Sequence, residues 1–419
     1  MKKPLSLGES AEHLGVSEDT IRRWEKKGLI KSQRNESNHR LFNLEELSRV
    51  SHKTNSAKGG EYKVLKAKPN GFGVIELFAG CGGMALGLEN AGFKTKLLVE
   101  IDKNAVATLR LNRPKWNVVS EDVTKVDFTA YKDEVEVVAG GFPCQAFSYA
   151  GKGLGFGDPR GTLFYQFLRC VKEVRPKIAL GENVRGLEKH DDGKTLKTMI
   201  HLLDQAGYAV AYRILRSQFL DVPQKRERLV IIGIRKDLEK GHLFPKERDY
   251  TVNLSEALFD VPDSLGYEYS PKKFKIMKLV PEGGCWRDLP DLMQREYMGG
   301  SYFLGGGKTG MARRLSMDEP SLTLTCNPAQ KQTERCHPKH TRPLKVREYA
   351  RIQTFPDDWA FAGSVSSSYR QIGNAVPVNL GFHIGRAIQA ILQDTFDTKL
   401  FVRPDLPLED VGGQLDLGI

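Results

Sequence analysis

The sequence predicts an α/β protein built on a parallel, doubly wound sheet, with a loop-rich insertion and a small basic helical domain at its N-terminus. Three observations predict it. From Gly73 onward, short apolar runs alternate with helical patterns, as the strands and crossover helices of a parallel sheet do. Between about residues 245 and 342 that rhythm stops, and Gly299-Gly300, Gly305-Gly306-Gly307 and scattered basic residues take its place. Residues 1–70 hold 15 basic and 9 acidic side chains, a net +6 out of +11 for all 419 residues.

The N-terminal elements come first. Gly8–Leu14 reads as a short helix ended by Gly15, and Ser17 as the N-cap of a second helix that runs through Lys27 and stops at Gly28. Ile21 and Trp24, three apart, face inward, which leaves Thr20, Arg22, Arg23 and Lys26 available to DNA. Lys31–Phe42 is a polar, basic hairpin, and Asn43–Leu47 opens a third helix. Two short helices joined at a glycine and followed by a wing form a helix-turn-helix pattern. Residues 49–70, lysine-rich and without periodicity, read as a linker.

The sheet follows. Val74–Phe78 is a buried strand, succeeded by a glycine-rich turn and the helix Met84–Gly92. Lys96–Ile101 is the second strand and Lys103–Asn112 its helix. Val118–Ser120, Glu136–Gly140 and Ile178–Gly181 are the third to fifth strands, and Val230–Ile234 is a further apolar strand. Regular helix returns near Val346 and after Val378.

Composition narrows the function. Apolar residues at 40% and charged residues at 27% fit a globular chain and exclude a disordered, collagen-like or rod-like one. No run approaches the roughly 18 apolar residues of a membrane-spanning helix, and the N-terminus lacks the apolar core of a secretory signal. The basic surplus favours an anionic partner, nucleic acid first. Six cysteines without a CxxC pair fit free thiols in a reducing compartment. Cys326, Cys336, His337 and His340 lie close in sequence, but their irregular spacing does not suit a zinc site, so no metal is expected.

A cofactor site is expected at the first turn, Phe78-Ala79-Gly80-Cys81-Gly82-Gly83, where glycines let the backbone approach a ligand. Glu100, 20 residues after Gly80 and at the end of the second strand, is spaced to bind ribose hydroxyls. Asp122, after the third strand, could accept from an adenine amino group, against the alternative of a solvated aspartate. The turn has no lysine for phosphates, so a cofactor with adenosine but no phosphate, such as S-adenosylmethionine, fits better than NAD or ATP. The reacting groups are expected at neighbouring strand ends. Cys144 lies on the loop Gly140-Gly141-Phe142-Pro143-Cys144, against the alternative of a buried structural thiol. Glu182 ends the fifth strand, against a helix-cap acid; Arg226 and Arg228 precede the last apolar strand, against plain surface charge. Tyr369-Arg-Gln-Ile-Gly-Asn374-Ala-Val-Pro377 stands late in the chain.

Taken in order, FAGCGG, Glu100, GGFPCQ, ENV, QKRER and QIGNAVP resemble the DNA (cytosine-5)-methyltransferases over about residues 72–240 and 343–395. The N-terminus resembles the MerR-type winged helix-turn-helix over residues 5–48, through Ala11, Leu14, Gly15, Val16, Ser17, Thr20, Ile21, Arg22, Trp24, Glu25, Gly28, Leu29, Ile30, Arg34 and Arg40. The resemblance implies a class I S-adenosylmethionine-dependent methyltransferase sheet. It implies domains at 1–50 (winged helix), 51–71 (linker), 72–245 (catalytic), 246–342 (target recognition), 343–400 (catalytic closure) and 401–419 (tail). The last motif's helix would return beside the first strand and close the cofactor site.

The resemblance also implies roles. Cys144 would attack carbon 6 of cytosine, Glu182 would engage N3 and the amino group, and Arg226 and Arg228 would lie beside the thiolate and O2. Phe78, Gly80, Gly82, Glu100, Asp122, Pro143 and Asn374 would bind S-adenosylmethionine. The glycine-rich Gln145–Gly161, with Gly151, Gly153, Gly155 and Gly157, would form a lid over duplex DNA, from which the cytosine must be flipped. Lys308, Arg313, Arg314, Lys331, Gln332, Arg335, Lys339 and Arg342 could meet phosphate or guanine, and Ser321–Thr325 a recognition-domain strand. The expected setting is a prokaryotic cytoplasm, with DNA associated with the nucleoid as substrate, a cognate restriction endonuclease as functional partner, and the enzyme's own promoter as a second DNA partner of residues 5–48. Two readings stay open: a transcriptional regulator whose methyltransferase part only binds, and an RNA cytosine methyltransferase, against which the long 246–342 insertion speaks.

Overall fold

The computed structural model describes residues 4–14, 18–26, 30–34, 38–43, 46–47, 63–142, 163–303 and 309–404. They divide into two compact units, residues 1–60 and 61–419.

In the first unit, strands β1 (Leu5–Ser6), β2 (Ser32–Arg34) and β3 (Arg40–Phe42) form an antiparallel sheet in the order β1-β3-β2. Leu5 pairs with Phe42, and Arg34 with Arg40 across the hairpin. Asn38, at φ 62°, turns that hairpin, and Arg34 Nη1 donates to its carbonyl and its Oδ1. Helices Leu7–Leu14 and Glu18–Lys26 pack with the sheet around Ala11, Ile21, Trp24, Ile30, Phe42 and Leu47. Ile21 and Trp24 thus face inward as their spacing predicts, and Arg22 is exposed and paired with Glu18. Gly15–Ser17, Lys27–Leu29 and the side chains of Thr20, Arg23 and Lys26 lie outside the described residues.

The second unit is organised by a seven-stranded sheet. Its strands are β4 (Gly73–Leu77), β5 (Lys94–Glu100), β6 (Val118–Ser120), β7 (Val137–Gly140), β8 (Ile178–Val184), β9 (Tyr208–Arg216) and β11 (Glu227–Arg235), the short β10 (Gln224–Lys225) lying outside it. The order is β6-β5-β4-β7-β8-β11-β9. The first five are parallel; β11 runs antiparallel to both β8 and β9. The apolar runs of β4, β7, β8 and β11 are buried on both faces, as a sheet covered by helices on both sides requires. From β4 the chain winds outward through β5 and β6, then returns to the other side of β4 as β7. That reversal opens a crevice at the carboxyl ends of β4 and β7, the place where doubly wound sheets bind ligands.

The C-terminal part completes this sheet from outside. Helix Val378–Leu392 is buried along most of its length against helix Gly83–Asn90. A β-carbon at Gly83 would lie 2.1 Å from the Val376 carbonyl oxygen, so only glycine admits that approach. The last motif therefore seats on the first turn, as expected.

Residues 244–345 carry little regular structure: strands β12 (Phe244–Pro245) and β13 (Ser321–Leu322) and helices Leu254–Ala257, Pro271–Leu279 and Asp291–Met298. A small core of Met277, Val280, Trp286, Leu289, Met298, Met311 and Cys336 sits inside this region. β13 pairs in parallel with β10, and the C-terminal β14 (Phe401–Val402) pairs with β12. Buried arginines replace ladder hydrogen bonds elsewhere. Arg314 donates to the carbonyls of Val280, Met277 and His337 and to Thr341 Oγ1; Arg335 donates to the Thr323 and Glu334 carbonyls. Five donors in one rigid fork suit this task. Arg314 and Arg335 are therefore corrected from DNA-facing candidates to internal struts, each 5% exposed.

Candidate active site

The crevice is a cleft of about 780 Å³ at the carboxyl ends of β4, β5, β7 and β8, walled by Thr323–Cys326 and by Arg370–Val376. Its floor follows from β4. The strand ends in Phe78 at φ 60°, a left-handed conformation that costs a non-glycine residue on the order of 1 kcal/mol. That bend turns the chain into Gly80, also left-handed at φ 54°, where a β-carbon would meet no atom within 4 Å. Gly80 thus opens directly onto the cleft.

Glu100, at the end of β5, is fixed by three backbone donors: Gly80 N on Oε2 at 2.7 Å, and Ile101 N (2.9 Å) and Asp102 N (2.7 Å) on Oε1. A carboxylate offers about four lone-pair sites, so acceptor capacity remains for a ligand hydroxyl. Asp102 caps the next helix by accepting from Asn104 N and Ala105 N, and pairs with Arg370 at 3.2 Å.

On the opposite side stands Glu182 in β8. Its Oε1 lies 2.8 Å from Arg228 Nε, and both side chains are nearly buried, at 11% and 12% exposure. Burial pushes the Arg228 guanidinium down and the Glu182 charge opposes that push. Arg226 is buried deeper and is pushed down to about 9 by burial and then by Arg228. Its Nη2 donates to the Gly373 and Ala375 carbonyls and its Nη1 to the Leu324 carbonyl. Arg226 therefore ties β10–β11 to both walls of the cleft, whereas Arg228 alone is paired with the acid.

The described residues bring together Phe78, Gly80, Glu100, Glu182, Arg226, Arg228 and Asn374 around one space. Gly82, at φ 91°, caps the helix that follows the turn. Asn374 Oδ1 accepts from the Cys326 thiol at 3.0 Å. Asp122 is not part of the lining: its Oδ1 accepts from Thr124 N and Oγ1, which caps a short turn after β6. Pro143, Cys144, the Gln145–Gly161 loop and Lys308 lie outside the described residues. Cys326 and Cys336 do not form one site with the histidines: Cys326 lines the cleft, while His337 Nδ1 accepts from Lys339 N and His340 N. Among the described residues no cluster of three metal ligands forms.

The sequence reading missed three residues. Asn183 Nδ2 donates to the Phe142 carbonyl at 2.7 Å, fixing the chain just before the Cys144 loop. Gln224 receives Leu324 N and donates to Gln353, whose amide donates in turn to Ile372 and Ala375. The third is Glu76, a carboxyl inside the apolar run Val74-Ile75-Glu76-Leu77; a lone acid in a buried strand was the available signal.

Glu76 lines the cleft, and its Oε2 has no hydrogen-bond partner among the described residues. Burial, then Glu100, then Glu182 hold its carboxyl well above the usual carboxylate range. The folded chain thus keeps a proton that the unfolded chain releases above about pH 4.3. Stability linked to Glu76 is full below that pH and is lost as pH rises through the folded value. Glu76→Gln removes this titration. In thermal melts without ligand, we expect the variant to gain on wild type by a few degrees between pH 5 and pH 8; a gap that does not change with pH contradicts this.

Comparisons with known proteins agree with this geometry. Residues 72–390 match the C-5 cytosine-specific DNA methylase family, and residues 6–42 match the MerR family of regulatory proteins. The type II methyltransferase M.Eco47II of Escherichia coli is 55% identical over 403 residues, covering 94% of this chain and 97% of that one. The type II methyltransferase M.PspPI of a Psychrobacter species is 51% identical, covering 91% and 95%. The solved structure of a Spodoptera frugiperda DNMT2 mutant is similar in fold, with a TM-score of 0.55 at 16% identity over 76% of this chain and 99% of that one. With the described residues of these motifs gathered around one cleft, the chain belongs to the C-5 cytosine-specific DNA methylases, a family of S-adenosylmethionine-dependent enzymes, and is a DNA (cytosine-5)-methyltransferase.

Proposed function

We propose that the enzyme methylates carbon 5 of one cytosine within a specific duplex sequence, in the cytoplasm of a prokaryote, and so protects host DNA from a cognate restriction endonuclease. The observation that carries this reading is the near-buried Glu182–Arg228 pair facing Glu100 and Gly80 across one cleft. It supports the reading because the groups proposed for the base and those proposed for the cofactor lie on opposite sides of one space of about 780 Å³.

The cleft's lining fits S-adenosylmethionine: a carboxylate with spare acceptor capacity, an aromatic side chain at Phe78, an open Gly80, and no lysine for phosphates among the described lining residues. Phe78, Gly80, Gly82, Glu100 and Asn374 would hold it, with Pro143 and, from outside the lining, Asp122 as the remaining expected contacts. When bound, it supplies an electrophilic methyl group.

The chain's own residues do the rest. Carbon 5 of cytosine is a poor nucleophile. Addition of the Cys144 thiolate to carbon 6 makes an enamine and moves electron density to carbon 5. Glu182 engages N3 and the amino group as that density builds. Arg228 fixes the Glu182 carboxylate and offers charge to O2. Arg226 acts from behind, holding Leu324, Gly373 and Ala375 in place. After methylation, loss of the carbon 5 proton restores the ring, and its electron pair expels Cys144 as thiolate. A stacked base cannot reach this space, so the cytosine is flipped out of the duplex, under the Gln145–Gly161 loop as lid. The 246–342 region reads the sequence, and residues 5–48 bind the enzyme's own promoter and repress it.

The test is nucleoside analysis of genomic DNA from a methylation-free bacterial host expressing the full chain. We expect 5-methylcytosine in DNA and none above background in RNA; the reverse distribution rejects the reading. In the same host, an Arg22→Ala/Arg23→Ala variant is expected to raise transcription from the upstream promoter, and unchanged transcription rejects autoregulation.

A further inference from the structure

Beside the active-site cleft lies a second hollow of about 330 Å³. Val184, Arg228 and Thr323 line both spaces, so the two share a wall. The hollow gathers cations from separate segments: Arg185 follows β8, Arg216 ends β9, Lys225 lies on β10 and Arg228 on β11. Sheet register sets them side by side. Arg228 pairs with Val184 on one side and Leu215 on the other, and Arg216 is opposite Glu227.

Each cation has a carboxylate partner: Arg185–Glu227 at 2.6 Å, Arg216–Glu247 with Nε to Oε2 at 2.9 Å, Lys225–Glu319 at 2.9 Å and Arg228–Glu182 at 2.8 Å. Of these four acids only Glu227 lines the hollow. The other three hold their partners from outside it, so the lining presents four cations against one carboxylate. Arg185 and Arg216 are also more than half exposed. The Arg185–Glu227 pair is exposed on both sides, and such pairs contribute little, so an incoming anion can displace Glu227 at small cost. Planar guanidiniums match the oxygens of a phosphate. A nucleotide whose base enters the cleft leaves its backbone outside, and on the side of the shared wall that backbone would meet these cations.

We propose that this hollow seats a backbone phosphate of the DNA strand that carries the target cytosine, next to the flipped nucleotide. Glu227 serves as the resident anion that the phosphate replaces on Arg185. This inference rests on the DNA-methylating reading above and gives that substrate a second point of attachment.

The experiment uses the full chain and unmethylated plasmid DNA as probe. In Arg185→Gln/Arg216→Gln, we expect DNA binding to weaken about tenfold at low salt. The slope of log affinity against log salt should flatten by about 0.9 for each phosphate that is no longer neutralised. KM for DNA should rise similarly, with kcat and S-adenosylmethionine affinity within about twofold of wild type. Glu227→Gln should move the other way, tightening DNA severalfold and steepening the slope, an outcome that misfolding cannot mimic. Wild-type slopes in both variants overturn the proposal. A wild-type enzyme that transfers no methyl group to DNA overturns instead the reading on which it rests.

Discussion

Cys144→Ala is expected to lose methyl transfer by about four orders of magnitude or more, because the two thiols among the described lining residues of the cleft are engaged elsewhere, Cys326 donating to Asn374 Oδ1 and Cys81 to the Gln371 carbonyl. Losses of that size are typical when the attacking atom of a covalent mechanism is removed. Binding of S-adenosylmethionine should be unchanged, since Phe78, Gly80 and Glu100 approach the cleft from β4 and β5 and are intact. The check is incorporation of a labelled methyl group into DNA at saturating substrate. A Cys144→Ala enzyme within tenfold of wild type would reject the carbon 6 adduct.

Glu182→Gln carries the second largest expected effect. Its side chain faces two demands. In the proposed mechanism it stabilises charge on the cytosine ring as the adduct forms, and in the structure it neutralises Arg228, which burial already pushes down. A glutamine keeps the shape and an acceptor but leaves Arg228 as a buried, unpaired charge, a defect that costs about 3 kcal/mol or more. We expect kcat to fall by roughly 10²–10³-fold, the usual scale for removing one preorganised electrostatic group. KM for DNA should move much less, because the interaction strengthens as the reaction proceeds. A thermal midpoint lowered together with an unchanged kcat would make Glu182 only a strut for Arg228.

Much of the catalytic unit was legible because its signals are local. An apolar run ending in glycines announces β4 and its turn. The 20-residue spacing to Glu100 announces the partner carboxylate, which the structure sets 2.7 Å from Gly80 N. Glu182, Arg226, Arg228 and Asn374 come from segments up to 192 residues apart, yet they sit in three short motifs, Arg226 and Arg228 sharing one.

The rest depends on contacts between distant residues, which leave no periodic trace. The antiparallel edge strand β9 mixes buried and half-buried positions without strict alternation, so its nine residues resemble a loop. The 244–345 region is held by guanidinium forks such as Arg314, whose carbonyl partners lie 23 to 37 residues away. In sequence such an arginine is indistinguishable from one that meets DNA. The division of labour between Arg226 and Arg228 is hidden for the same reason. Only the folded contacts show that one pairs with the acid and the other holds carbonyls of two remote segments. Asp122, placed by its position after the third strand, stands outside the cleft lining and caps its own turn, a local contact that this position does not announce.

The central claim is that Cys144 and Glu182 act on a cytosine in a defined DNA sequence. Bisulfite sequencing of genomic DNA from a methylation-free host tests it most directly, with wild type and Cys144→Ser compared. The expected result is one short motif whose cytosine is protected in nearly every copy with wild type and in none with Cys144→Ser. Wild-type protein that binds S-adenosylmethionine yet protects no cytosine, or protection that survives Cys144→Ser, would contradict it.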